Sequence, residues 1–241
     1  MKLIGSAQAT AALLLPPDDT KPQKGFVPQL VAQAMARKLN ITGTIRAAGR
    51  QNVPMPTRAG IQLVQVETPL ALPSGFLEGD GKPIAVARVE IPPDFSMITV
   101  VCSNTTECDQ VLDAFIPILE QEFEFRNLRA TKRIYASNLV VEFDKSLEGY
   151  VQALKALSEV IAPPMREAAG IKSDPSIERL SFGFDPADIL PTATQQIAFI
   201  IERRQGHPFS QNRYFCAAPF QTDAHIQLLE RVEQTLKSFP N

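Results

Sequence analysis

The chain has 241 residues, a formal net charge of −2, 44% hydrophobic and 21% charged residues. This balance is globular rather than disordered, and the length is enough to bury a core without metals or disulfides. It argues against a surface that neutralises many phosphates, so nucleic-acid binding is disfavoured despite a basic bias at Arg37, Lys38, Arg46, Arg50 and Arg58. No apolar run approaches the ~20 residues a bilayer span needs, so no membrane partner is expected.

Residues 1–15 read as a strand or ordered arm. A signal peptide is disfavoured because the apolar stretch Ala11 to Leu15 is short and Pro16-Pro17-Asp18-Asp19 is a poor cleavage context. A helix follows from Phe26, with Pro28 in its first turn and Leu30, Val31, Ala34, Met35 and Leu39 on one face. Residues 40–59 read as loop with a short strand, Ile61–Glu67 as a strand, and 69–81 as loops or a short hairpin arm, with Gly79-Asp80-Gly81 as a turn.

From about Lys82, runs of period 2 alternate with runs of period 3.6. Ile84–Ile91 and Ser96–Cys102 read as a hairpin around Pro92-Pro93-Asp94. Asn104 caps a helix, with Glu107 as return partner. Its face is Val111, Leu112, Phe115, Ile118, Leu119 and Phe123, and Pro117 is expected to kink or divide it. Arg133–Phe143 is the longest expected strand.

A helix from Asp144 or Ser146 carries Leu147, Tyr150, Val151, Leu154, Leu157 and Ile161 and is limited by Pro163-Pro164. Residues 165–175 read as a connector. Strands over 177–184 and 196–204, a loop over 205–221, and a helix over 223–238 with Leu228, Leu229, Val232 and Leu236 inward complete the chain. Residues 84–123 and 177–238 suggest a duplicated β-β-α unit without a sequence match between them.

The order β-β-α-β-α-β-β-α from residue 84 predicts an α+β fold. We expect two layers, with helices on a mixed or largely antiparallel sheet, and one domain over 1–241 in which 1–80 is a less regular lobe or wrap.

The densest polar cluster is Glu202, Arg203, Arg204, His207, Asn212, Arg213, Tyr214, Cys216 and His225, around a connector where sites tend to lie, and all but Glu202 and Cys216 are candidate ligand-binding residues. Paired arginines with a histidine suit a carboxylate or phosphate ligand. Solvated ion pairs and loop-satisfying polar groups account for the same residues. Cys102, Cys108 and Cys216 are too few and too widely spaced for a disulfide framework, a CxxC redox pair or a metal set, and a cytoplasmic location is expected.

Cys108 lies in a first helical turn, which lowers a thiol pKa, but Glu107 and Asp109 oppose that. No phosphate loop, nucleophile elbow or dinucleotide fingerprint occurs, and no cofactor is expected. Phe209, Phe215 and Phe220 crowd one loop and suggest an interface. The expectation is a non-enzymatic subunit or accessory factor acting by protein contact or self-association. The alternative is an enzyme or anion-binding protein using residues 203–225.

Overall fold

The computed structural model describes residues 1–16, 20–22, 26–41, 43–57, 60–78, 82–169, 177–183 and 198–239. Gly79-Asp80-Gly81, Phe184 and Ile197 lie outside them. The fold is α+β, a large antiparallel sheet with smaller ones and packed helices. Among the described residues no helix is long and apolar enough to cross a membrane. The chain divides into two compact units, Gln8–Tyr135 and Met1–Ala7 with Ala136–Asn241.

The first unit contains β1 (Lys2–Leu14, from Gln8), α1 (Pro28–Lys38), β2 (Gly49–Thr57), β3 (Gly60–Thr68), β4 (Leu70–Leu72), β5 (Gly75–Leu77), β6 (Ile84–Val86), β7 (Arg88–Ile91), β8 (Met97–Cys102) and α2 (Thr105–Phe123). Its main strands order β1-β8-β7-β4, all antiparallel, and β2–β3 and β5–β6 are separate hairpins.

Ile84–Ile91 is not one strand. It breaks at Ala87, where β6 pairs with β5 while β7 pairs with β8. Gly75 is required by close approach, since a Cβ there would lie 2.6 Å from the Leu39 carbonyl. Asn104 caps α2 by accepting from the Glu107 amide at 2.9 Å, and Glu107 reaches back to the Ser103 hydroxyl. Pro117 lies inside α2 without dividing it.

The second unit contains β9 (Arg133–Glu142, from Ala136), α3 (Leu147–Tyr150), α4 (Gln152–Ala169), β10 (Arg179–Gly183), β11 (Ala198–Arg203), β12 (Arg213–Ala218) and α5 (Thr222–Ser238). Its strands order β10-β11-β12-β9. Three expectations are corrected. The 205–221 loop contains a strand, β12, whose Tyr214, Cys216 and Ala218 alternate into the core. The helix after Ser146 breaks at Val151, leaving α3 buried through Leu147 and Tyr150. α4 then runs through Pro163 and Pro164. Those prolines leave the carbonyls of Glu159 and Val160 without an intrahelical donor, at residues that are exposed and open to solvent.

Among the described residues the two units share one plan. The first runs β1-α1-β4-β7-β8-α2, with the two hairpins inserted; the second runs β9-α4-β10-β11-β12-α5, with α3 inserted. Each places its first strand beside its last, then the third, then the second. Register makes the match residue by residue. The row Ala11, Val100, Val89, Leu72 corresponds to Leu139, Cys216, Ile201, Leu180. The closing helices both begin at a threonine, so Cys108 matches His225, Leu112 matches Leu229 and Ile116 matches Glu233, all of them buried. The duplication is thus one of topology and register, which a sequence comparison does not see.

Candidate functional site

The polar residues singled out above are distributed by the period-2 alternation of β11 and β12. Arg203 shares a face with Tyr214, because the two are register partners. Arg203 is 6% exposed, donates to the Phe209 carbonyl at 3.2 Å and pairs with Glu148 at 3.5 Å. Its guanidinium lies 4.4 Å from the Phe209 ring centroid and 5.2 Å from that of Tyr214. The Tyr214 hydroxyl accepts from the Leu147 amide at 3.2 Å, and burial raises its pKa. This face is therefore a structural bracket holding α3 and the turn at Phe209–Gln211.

Arg213 points to the opposite face. It pairs with Glu142 at 3.3 Å and reaches His207 Nδ1 at 3.5 Å. A guanidinium only donates, so His207 accepts there. Arg204 is exposed, and its amide donates to the Arg213 carbonyl at 2.9 Å. Asn212 takes a left-handed φ of 47°, its amide donates to Phe209 and its carbonyl accepts from Phe143, so it is a turn residue.

His225 lies apart, fully buried, with Nδ1 2.7 Å from the Ser137 hydroxyl. Burial lowers its pKa to about 4, and a hydrogen bond to the Ser137 backbone only partly opposes this. Its Nε2 has no hydrogen-bond partner among the described residues. A neutral imidazole in that setting suits a core position.

Cys108 is also fully buried, its thiol 3.5 Å from the Val100 carbonyl and 3.6 Å from that of Ala9. Cys102 lies beside it, and its thiol is pushed up by the hydrogen bond with Cys108 and by burial. Cys216, likewise buried, is pushed up to about 12. Among the described residues no group of His, Cys, Asp and Glu has the arrangement to hold a metal.

The sequence reading missed Glu233. Its side chain is 4% exposed, and it accepts from the Met1 amino group, the Asp144 amide at 3.0 Å, the Tyr150 hydroxyl at 3.0 Å and Lys237 at 3.2 Å. Burial pushes its carboxyl up, but these donors outweigh that and hold it at about 2. The available signal was its spacing, two inward steps of four after His225 and Leu229 on α5.

Comparison with protein-family models, curated proteins and solved structures returns no match. The chemistry of the surface must therefore be read from the chain itself.

Among the described residues the second unit carries exposed apolar groups on several surfaces, Phe182 at 61% among them. On the sheet face opposite Tyr214 and Cys216, Phe215 pairs with Val140 and Ile200 with Ala217, all four only half-buried. The ion pairs Arg213–Glu142 and Arg179–Glu202 edge this patch. Phe209, 54% exposed, and Phe220 lie in the turns before and after β12. On α4, Leu157, Val160 and Ile161 are exposed. A groove of about 290 Å³ runs along α5, lined by Leu228, Arg231, Val232, Thr235 and Leu236.

Proposed function

We propose that this protein is a non-enzymatic subunit or accessory factor that acts by protein–protein contact. The observation that carries the reading is the Val140–Phe215–Ala217–Ile200 patch on the sheet of the second unit. An apolar centre with an ion-paired rim is the anatomy of a contact surface. The rival reading, an anion site at Arg203, Arg204, His207 and Arg213, has weaker support. Glu148 and Glu142 already compensate Arg203 and Arg213, and those two arginines point to opposite faces.

The test is quantitative capture of host proteins by the tagged full chain and by its Phe215→Asp variant, with thermal midpoints measured beside it. Loss of a stoichiometric partner at an unchanged midpoint supports the reading. Equal capture by both chains rejects the patch as the contact surface.

A further inference from the structure

The internal duplication says what the α5 groove is shaped for. Leu228, Val232 and Leu236 correspond to Val111, Phe115 and Leu119 of α2. In the first unit those three are fully buried, in one core cluster with Val31, Met35 and Leu39 of the α1 segment, because α1 packs along α2. In the second unit the same positions are half-buried and line an open groove. The groove is therefore the seat that a helix fills in the sister unit.

The helix in the matching place of the chain is α4. It presents Leu157, Val160 and Ile161 at 54%, 73% and 38% exposure, the i, i+3, i+4 spacing of a packing stripe. Lys155 and Glu159 pair at 4.0 Å beside that stripe, so its flank is neutralised and the match between the two surfaces is one of apolarity. Among the described residues the seat is open and the stripe is exposed together. A two-fold pair of chains satisfies both at once, since each copy offers one stripe and one seat.

We propose that the α5 groove receives the Leu157–Val160–Ile161 stripe of α4 from a second copy of this chain, in a reciprocal exchange. The proposal deepens the protein-contact reading above and rests on it by naming one partner.

Light scattering on the full chain at micromolar concentration is expected to give the mass of a dimer. Val160→Glu keeps helix propensity and lies at the most exposed position of the stripe. It is expected to weaken dimerisation at least about tenfold, with circular dichroism and thermal midpoint unchanged. Leu236→Glu, in the groove, should do the same.

A mixture of Val160→Cys chains with Leu236→Cys chains is expected to form an interchain disulfide under mild oxidant; the native cysteines are buried. A monomeric wild type, a Val160→Glu variant that stays dimeric, or a Val160→Cys/Leu236→Cys double variant that cross-links within one chain overturns the proposal.

The two readings fail separately. A monomer whose captured partner depends on Phe215 loses self-pairing and keeps protein contact through the sheet. A dimer broken by Val160→Glu but indifferent to Phe215→Asp keeps self-pairing and loses the sheet patch.

Discussion

At matching places in the two units, Cys108 and His225 are both fully buried in the first turn of a closing helix, and the histidine couples stability to pH between neutrality and mild acid. Its folded pKa is about 4 against an ordinary 6.5, so the unfolded chain binds the proton more readily. Stability of the second unit is then full above about pH 6.5 and declines as pH falls toward 4. At about 1.4 kcal/mol per unit the loss reaches roughly 3 kcal/mol.

Glu233 adds a lower window. Its carboxyl sits at about 2 against an ordinary 4.5, so its contribution is present above pH 4.5 and is lost as pH falls toward 2. Urea titrations from pH 7.5 to 3 check both. His225→Leu should flatten the upper window and leave the lower one. A variant as acid-sensitive as the parent between pH 6.5 and 4 would reject the histidine as its source.

The sequence placed His225 in a first helical turn but offered no sign that Ser137, on a strand far away in the chain, would meet it. That contact depends on register, because Ser137 is the partner of Ala218 at the end of the strand preceding the helix.

At the element scale, local signals that need few neighbours were legible. The Asn104 cap is as expected, and Asn104→Ala should destabilise the first unit by about 1 kcal/mol in urea unfolding, since it leaves the Glu107 amide without its acceptor. Signals that depend on neighbours were misread. Pro163 and Pro164 read as a helix limit, but the carbonyls they strand belong to exposed residues, where solvent access lowers the cost, and α4 continues. Ile84–Ile91 alternates like one strand, yet its two halves serve different partners. β12 was hidden because Asn212 and the preceding polar residues look like loop, while its pairing comes from β9 and β11 on either side.

At the scale of the whole molecule, the repeated plan makes its own test. Leu112 and Leu229 are equivalent and equally buried, so replacing either with Ala should cost about 2–5 kcal/mol. Phe115 and Val232 are equivalent in position but not in burial. Phe115→Ala should cost about 3–5 kcal/mol, whereas Val232→Ala, measured in the Val160→Glu background where the groove stays open, should cost about 1 kcal/mol or less. Urea unfolding of the four variants checks this, and equal costs at Phe115 and Val232 would show the groove to be filled.

The sequence by itself determined the α+β class, most element positions and the apolar faces, because periodicity and capping are written within a few residues of each other. Tertiary structure decided the rest. The candidate arginines separate onto opposite sheet faces, Glu233 acquires its donors from three other segments, and α5 keeps an open groove where α2 does not. Each follows from strand register and helix placement, which bring together residues that no local pattern connects.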